Sequence, residues 1–253
     1  MGSLIGKRAL VTGAEQGIGR AVAEQLVDAG CDVAIHYFSD VEGPEQTVAR
    51  AIGLGRRAAR FQADCTDEAA TNAMVDDAAS FLGGLDILIN NVGGLIGRRR
   101  LAEVDLAFWR TVIDVNMTTM MMVTRRAIPH LEAAGASSIV NLASLAGRKG
   151  GHGGSLVYSM AKGAILTFTR ALSAELGPKG VRVNAVAPGL ILGTRFHDTF
   201  TTKESAEETI QDIPLGRAGG AEDVARPIVY LASEYDGFIS GATIDINGGI
   251  YCA

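Results

Sequence analysis

Seven short apolar runs, separated by longer segments, constrain the fold of this chain more than any other feature. They are rich in Val, Ile and Leu and lie at residues 8–12, 32–37, 59–63, 85–90, 138–142, 181–187 and 243–246. Each run is continuously apolar rather than alternating, which is typical of strands that are covered on both faces. Such strands form a parallel sheet with helices on either side. The sequence therefore predicts a doubly wound α/β fold.

The segment after the first run has a helical period. Ile18, Val22, Leu26 and Ala29 recur on one face, and Gly30 stands where a helix commonly ends. No internal repeat, low-complexity tract or Pro/Ser-rich linker divides the chain, so we expect one domain over residues 1–253. Residues 189–212 are polar and threonine-rich after a Pro-Gly pair, which predicts an irregular, mobile flap over a substrate site.

The charge and the cysteines exclude several classes of function. The formal net charge is −5, and phosphate binding relies on positive charge, so we expect no nucleic-acid partner. No apolar stretch approaches the roughly 18 residues of a membrane span, and the first residues do not resemble a secretory signal, so we expect a cytoplasmic protein without a membrane segment. Cys31, Cys65 and Cys252 have no metal-ligand spacing, so we expect free thiols and no metal site.

A glycine-rich turn follows the first run and leads directly into the first helix. Its sequence is Thr12-Gly-Ala-Glu-Gln-Gly-Ile-Gly19. Glycines at this point allow the backbone to approach a diphosphate, and the N–H groups of a helix N-terminus favour an anion. The spacing differs from the G-x-G-x-x-G fingerprint of dinucleotide sites. By itself the turn therefore indicates either a nucleotide site or only tight packing between strand and helix.

Tyr158 and Lys162 lie four residues apart on one face of a predicted helix. A phenol has a pKa of about 10, so its use as an acid/base group near pH 7 requires about 4 kcal/mol in favour of the phenolate. One ammonium group at about 4 Å, with an effective dielectric constant near 20, supplies roughly this amount. The pair is therefore a workable proton donor. A surface tyrosine beside a solvated lysine is the alternative.

The order of these motifs along the whole chain resembles that of the short-chain dehydrogenases/reductases. The matching elements are Thr12-Gly13, Gly17-Ile18-Gly19, Asn90-Asn91-Val92-Gly93, Asn116, Ser144, Tyr158, Lys162 and Pro188-Gly189. The resemblance implies a single Rossmann-like domain with a seven-stranded parallel sheet, usually in a homotetramer. It also implies reversible hydride transfer between a nicotinamide cofactor and a small-molecule carbonyl or secondary alcohol.

The resemblance assigns a role to each matching position. Tyr158 becomes the general acid/base and Lys162 lowers its pKa and holds the nicotinamide ribose, while Ser144 polarises the substrate carbonyl and Asn116 keeps a water for the proton relay. The diphosphate, the adenosine and the carboxamide of the cofactor would be held by Gly13, Gln16, Gly17, Ile18, Gly19, Tyr37, Ser39, Asp64, Cys65, Asn91, Gly93, Pro188, Gly189, Ile191 and Thr194.

The end of the second run usually distinguishes NAD(H) from NADP(H). The family's NAD-binding Asp would stand at Tyr37 and its NADP-binding Arg at Phe38, and neither is present. Glu15 and Asp40 would repel the 2′-phosphate of NADP(H) if they face it, whereas Ser39 and a protonated His36 could accept it. Both cofactors stay open, and we expect NAD(H) slightly more than NADP(H).

Three arginines follow the Asn-Asn-Val-Gly motif at the border of the expected cleft. We expect Arg98 to bind a substrate carboxylate, because guanidinium fits carboxylate in a bidentate geometry, and His152 and His197 to be further substrate contacts. The surrounding phrases resemble keto-uronate reductases of alginate breakdown, which reduce 4-deoxy-5-hexoseulose uronate. A 3-oxoacyl-thioester reductase and a non-catalytic nucleotide-sensing regulator on the same fold are the alternatives.

Overall fold

Seven parallel strands form the centre of the molecule. The computed structural model describes residues 4–233 and 237–252. Its strands are β1 (Arg8–Val11), β2 (Asp32–Tyr37), β3 (Ala58–Gln62), β4 (Ile87–Asn90), β5 (Ser137–Leu142), β6 (Val181–Pro188) and β7 (Thr243–Ile246). Their order in the sheet is β3-β2-β1-β4-β5-β6-β7, and every neighbouring pair is parallel. The predicted Rossmann-like, seven-stranded doubly wound fold is therefore confirmed.

Helices cover both faces of this sheet. They are α1 (Gly17–Asp28), α2 (Glu42–Gly53), α3 (Glu68–Leu82), α4 (Leu106–Ile113), α5 (Thr119–Ala134), α6 (Ala146–Lys149), α7 (Leu156–Leu176), α8 (Arg195–Phe200), α9 (Lys203–Gln211) and α10 (Ala221–Ala232). Helix α1 packs against α2 and α10 in one layer, and α3, α5 and α7 pack against the strands in the other. None of the helices described is both long and apolar enough to cross a membrane.

The packing of β1 explains why the strands are continuously apolar. Ala9 and Val11 belong to the core cluster that α1 and α10 complete, whereas Leu10, between them, belongs to the cluster beneath α3 and α5. All three side chains are fully buried. Because alternate side chains of a strand point to opposite faces, burial on both faces demands an apolar residue at every position.

The expectation of an irregular flap at residues 189–212 is wrong in its local structure, because most of the segment is helical. It contains α8 and α9. Thr202 caps α9 by accepting a hydrogen bond from the backbone N–H of Ser205 at 3.2 Å, and Ala206 packs with Leu190 and Ile213 in a small apolar cluster. Helices of six and nine residues carry too few apolar positions for their period to stand out in the sequence.

Candidate active site

A cleft of about 860 Å³ opens above the carboxyl ends of the central strands. The sheet order reverses between β1 and β4, and ligands of open α/β sheets bind at such a reversal. The residues expected at the site that line this cleft are Gly13, Gln16, Gly17, Ile18, Gly19, Asp64, Cys65, Asn91, Gly93, Arg98, Ser144, His152, Tyr158, Lys162, Pro188, Gly189, Ile191, Thr194 and His197.

The glycine-rich turn needs its glycines for steric reasons. Gly13 and Gly17 have φ angles of +60° and +54°, which other residues rarely adopt. A Cβ atom on Gly19 would lie 2.3 Å from the carbonyl oxygen of Gly13 and 2.4 Å from Nδ2 of Asn91. Helix α1 therefore begins directly beneath the turn. Its N-cap residue Gln16 makes no side-chain cap, so the first N–H groups of α1 suit the diphosphate of a dinucleotide.

Asn91 braces this turn from β4. Its Nδ2 donates to the carbonyl oxygens of Thr12 and Gly13 at 3.0 and 2.8 Å, and its backbone N–H donates to Oγ1 of Thr12 at 3.0 Å. Asn91, which was expected near the adenosine ribose, thus uses both hydrogens of its side-chain amide for hydrogen bonds to the protein backbone. Asn91 shapes the phosphate-binding turn, a role that the sequence alone does not reveal.

His36 supports the same turn from the end of β2. Its Nδ1 accepts a hydrogen bond from the N–H of Gly13 at 3.0 Å, and its Nε2 lies 3.1 Å from the carbonyl oxygen of Ala63 and 3.3 Å from Sγ of Cys65. The ring is buried, and burial lowers the pKa of His36 below its usual value. The expectation that a protonated His36 could accept a phosphate is therefore wrong.

Three expected residues do not line the cleft. Tyr37 is buried at the end of β2, and Ser39 lies beyond the rim, although its backbone N–H contacts Glu15. Asn116 is fully buried. Its Oδ1 accepts a hydrogen bond from the N–H of Gly94 at 3.1 Å, and its Nδ2 donates to the carbonyl oxygens of Gly94 and of Val112 in α4, both at 2.9 Å. A side chain with these partners positions the Gly93–Gly94 backbone.

The end of the cleft where the resemblance places the adenosine, here called the adenosine end, carries the carboxylates of Glu15 and Asp64. Asp64 accepts hydrogen bonds from Thr66 N at 2.9 Å and Thr66 Oγ1 at 2.6 Å, and these bonds hold the pKa of Asp64 below its usual value. Cys65 is buried, and burial raises its pKa to about 12, so it is a neutral thiol. Glu15 and Phe38, which the sequence places near the 2′ position of the ribose, also line this end of the cleft, and so does Thr66, which no sequence pattern indicates.

Tyr158 and Lys162 are buried together in the first turns of α7. Nζ of Lys162 donates to the carbonyl oxygen of Leu142 at 2.8 Å and lies 5.8 Å from the ring centre of Tyr158. Burial raises the pKa of Tyr158 to about 12, against a smaller opposite effect of the Ser144 hydroxyl, and burial lowers the pKa of Lys162 to about 8. Desolvation thus dominates the pKa of Tyr158, and the lowering of that pKa by Lys162 stays a prediction.

Ser144 lies two residues after the end of β5, beside Tyr158. Its Oγ accepts a hydrogen bond from the N–H of Ala146 at 3.1 Å, which fixes the side chain at the cleft. Opposite them, the π-helical turn Asp114–Thr118 joins α4 to α5 and carries Asn116. Turns of this kind are frequent at functional sites. A Cβ on Gly93 would come within 2.8 Å of Oδ1 of Asn116 and 2.9 Å of Nζ of Lys162.

The segment after β6 closes the other side of the cleft. Oγ1 of Thr194 donates to the carbonyl oxygen of Ile191 at 2.9 Å. Its methyl group faces the glycine-rich turn, because a Cβ on Gly17 would lie 3.3 Å from Cγ2 of Thr194. Phe196, in α8, packs against Tyr158 with ring centres 5.7 Å apart. The segment therefore covers both the phosphate-binding turn and the buried phenol.

The three expected substrate residues meet at the mouth of the cleft. Arg98 donates to the carbonyl oxygens of Gly153 at 3.2 Å and Phe200 at 3.4 Å. His197 contacts Oγ1 of Thr201 at 2.9 Å, and burial lowers the pKa of His197 to about 4, against a smaller opposite effect of Asp198. The neighbouring arginine is occupied elsewhere, since Arg99 pairs with Asp105 at 2.7 Å.

Comparison with known proteins identifies the family. Residues 13–251 match the family model described as enoyl-(acyl carrier protein) reductase. The chain is 37% identical over 256 residues to cis-4-hydroxycyclohexanecarboxylate dehydrogenase of Sinomonas cyclohexanicum, with 98% of each chain covered. It is 35% identical over 249 residues to 3-oxoacyl-[acyl-carrier-protein] reductase FabG of Staphylococcus aureus, covering 97% of this chain and 98% of that protein. The chain belongs to the short-chain dehydrogenase/reductase family.

Solved structures agree with this assignment. The crystal structure of NADH-dependent reductase A1-R′, responsible for alginate metabolism, superposes with a TM-score of 0.90 at 34% identity, covering 99% of both chains. The same reductase has been solved in complex with NAD. The protein is accordingly an NAD(P)-dependent oxidoreductase acting on CH–OH and C=O groups. The glycine-rich turn and the open N-terminus of α1 fit the diphosphate of such a cofactor.

Proposed function

We propose that this protein reduces a keto-uronate, or a related sugar-derived carbonyl compound that carries a carboxylate, with NADH as its cofactor. The observation that carries the substrate class is Arg98. Its guanidinium group contacts two neutral carbonyl oxygens, and within residues 4–233 and 237–252 it forms no ion pair with a carboxylate. A cation at the mouth of a catalytic cleft, beside His152 and His197, is suited to a substrate carboxylate.

The catalytic roles follow the chemistry of the buried pair. A nicotinamide cofactor, when bound here, would supply the hydride that the carbonyl carbon accepts. Tyr158, with its pKa raised to about 12, keeps its proton at neutral pH and donates it to the carbonyl oxygen. Ser144 donates a hydrogen bond to the same oxygen. Lys162 holds the nicotinamide ribose and, when protonated, stabilises the phenolate that forms.

The choice of NAD(H) over NADP(H) is supported from two sides. A1-R′ is described as NADH-dependent. In this chain the positions where an NADP-dependent relative would carry a basic residue hold Gln16 and Phe38. Glu15 and Asp64 line the adenosine end of the cleft, and Asp40 lies beside it at 3.9 Å from Arg195. These three carboxylates outnumber Arg195, which lines the same end, and so oppose a 2′-phosphate.

A second candidate function is reduction of a 3-oxoacyl thioester. The similarity to FabG favours it, and so does a basic rim around the cleft. Lys149 and Arg98 line the mouth, and Arg100 lies in the adjoining groove. An acidic carrier protein would need such a rim. The keto-uronate is preferred because Arg98 lines the cleft and, among the described residues, has no carboxylate partner of its own.

Initial rates with purified protein test this proposal. We expect faster NADH oxidation with 4-deoxy-5-hexoseulose uronate than with an acetoacetyl thioester. Arg98→Gln should lower kcat/KM for the uronate by about ten-fold or more, because a charge-assisted pair contributes roughly 1.5–3 kcal/mol. Arg100→Gln, at an arginine two residues away that does not line the cleft, is the matched control and should leave that value unchanged.

Tyr158→Phe tests the proton donor separately. Turnover of either substrate should be abolished, while NADH binding, followed by nicotinamide fluorescence, should persist. Retained turnover would remove Tyr158 from its proposed role. For the wild-type protein, turnover of the thioester but not of the uronate would favour the second candidate and exclude the first.

A further inference from the structure

Ile96 has a backbone conformation that isoleucine rarely adopts. Its φ angle is +65°, and among the residues that the structure describes no other residue except glycine has a positive φ. In this left-handed region the branched Cβ of isoleucine crowds its own backbone, so the conformation is strained. Strain of this kind persists only where the surrounding structure imposes it, and it is concentrated at functional sites.

The chain on both sides of Ile96 imposes this conformation. Before it, the side chain of Asn116 holds the N–H and the carbonyl oxygen of Gly94 at 3.1 and 2.9 Å. After it, the N–H of Arg99 donates to the carbonyl oxygen of Gly154 at 2.9 Å. The left-handed turn at Ile96 is therefore fixed by hydrogen bonds from two distant parts of the chain.

The side chain of Ile96 packs little against the protein itself. It is 42% exposed and belongs to none of the apolar clusters formed by the described part of the chain. Its neighbour Leu95, in contrast, is buried in the cluster that contains Val157 and Tyr158. Ile96 nevertheless lines the catalytic cleft. An apolar side chain thus stands at the wall of the cleft with much of its surface open to solvent.

The turn at position 96 does not itself need isoleucine. Glycine adopts a positive φ without strain, and asparagine is several-fold enriched there. Either residue would suit this backbone better and would still lead the chain to Arg98, two residues further on and also at the cleft. The property that isoleucine supplies, and that glycine and asparagine lack, is apolar surface facing the cleft.

We propose that Ile96 is a specificity residue, which packs against the apolar side of the substrate's carbon chain while Arg98 binds the substrate's carboxylate. This inference rests on the proposed function and adds a second substrate contact to it. The uronate named above suits such a pair, because its C4 is a methylene group close along the chain to the carboxylate. Contact with Ile96 would remove apolar surface of both partners from water. A hydroxyl group at the same place would lose its water partners.

Ile96→Asn separates the side chain from the backbone, since asparagine relieves the strain and removes the apolar surface. We expect Tm to rise by about 2–4 °C. KM for the uronate should rise by about ten-fold or more with little change in kcat, because a contact made equally in the ground state and the transition state is lost. The Kd of NADH, from nicotinamide fluorescence, should stay unchanged. A residue that only supports the loop would instead give a lower Tm or an unchanged KM, and either result would overturn the proposal.

Two further variants serve as controls. Ile96→Val keeps the branch at Cβ, and with it the strain and most of the apolar surface, so Tm should be unchanged and KM should rise only a few-fold. Ile52→Asn makes the same substitution as Ile96→Asn at an isoleucine of α2 that is 67% exposed and does not line the cleft. It should leave KM unchanged and should not raise Tm.

The assays keep this proposal apart from the proposed function. Wild type that reduces the uronate, together with a higher Tm but an unchanged KM in Ile96→Asn, would remove the role of Ile96 and leave the proposed function standing. Wild type that reduces only the acetoacetyl thioester would contradict the proposed function. In that case a higher KM for the thioester in Ile96→Asn would still support the apolar contact, and an unchanged KM would exclude it.

Contact between copies of the chain is the competing explanation for an exposed apolar side chain. Light scattering after gel filtration tests it. We expect wild type and Ile96→Asn to have the same mass. A lower mass in the variant would place Ile96 between subunits and would overturn its role at the substrate.

Discussion

The residues of this site differ in how far the sequence alone predicts their roles. Tyr158, Lys162 and Ser144 are fixed by local motifs, so the sequence alone predicts that they belong together, and the structure brings them to one cleft. The contacts of Glu15 and His36 depend on how β2 lies beside β1. Glu15 is 23 residues from Phe38, and His36 is 23 residues from Gly13. No local pattern marks such pairs, which is why their roles emerge only from the fold.

His36 gives a pH-dependent contribution to stability. The neutral ring accepts the Gly13 N–H, and burial lowers its pKa below the unfolded value of 6.5. Below pH 6.5 the unfolded chain therefore binds a proton that the folded chain excludes. Stability falls as the pH drops from 6.5 toward the lower folded pKa. Urea unfolding of wild type and His36→Asn at pH 7.5 and 5.5 should show a smaller pH-dependent loss in the variant.

Asparagine is chosen because its side-chain oxygen can take the place of Nδ1. His197→Asn is the control, since the pKa of His197 is also lowered, to about 4, and contributes in the same direction. Each single variant should therefore lose part of the pH dependence of wild type. The part that His36→Asn loses should still be present in His197→Asn. Equal pH dependence in wild type and His36→Asn would show that His36 does not titrate as described.

Elements differ in how well their sequences define them. The five inner strands, β1, β2, β4, β5 and β6, are mostly buried, so their continuous apolar runs predict them correctly. The edge strands β3 and β7 are only partly buried. Helix α1 has a clear apolar stripe. Helices α8 and α9 have only six and nine residues, so no apolar period marks them in the sequence. Their position over the cleft depends on packing of Phe196 and Ala206 against distant residues, which local periodicity does not contain.

The contact between the start of α1 and the glycine-rich turn gives a prediction at this scale. Gly19→Ala would place a methyl group 2.3 Å from the Gly13 carbonyl oxygen and 2.4 Å from Nδ2 of Asn91, so the turn must shift. We expect a stability loss of about 1–3 kcal/mol, as for other overpacked sites, and at least ten-fold weaker NADH binding. Thermal unfolding and fluorescence titration measure these effects.

Gly53→Ala, in α2, is the matched control. A Cβ atom at this position has no neighbour within 4 Å, and alanine is favoured over glycine in a helix by roughly 1 kcal/mol. It should keep NADH binding and leave stability unchanged or slightly higher. If Gly19→Ala behaved in the same way, the turn would not depend on this close approach.

At the scale of the whole molecule, the alternation of strands and helices along the sequence predicts the sheet. No comparable sequence pattern predicts the oligomeric state. The surface does carry apolar side chains on the outer layer. Leu156 is 44% exposed and Met160 is 40% exposed, one turn apart on α7, and Met121 of α5 is 37% exposed. These residues, together with the resemblance stated above, favour contact between copies of the chain through α5 and α7.

We therefore predict a homotetramer in which the outer face of α7 is buried between subunits. Light scattering after gel filtration should give four times the chain mass of 26.4 kDa. Met160→Glu would place a charge in that apolar contact, which is costly without a partner, and should shift the mass toward dimer or monomer at micromolar concentration. Ile52→Glu, at a residue of α2 that is 67% exposed, should leave the mass unchanged. A wild-type mass of one chain, or a tetramer unaffected by Met160→Glu, would contradict this arrangement.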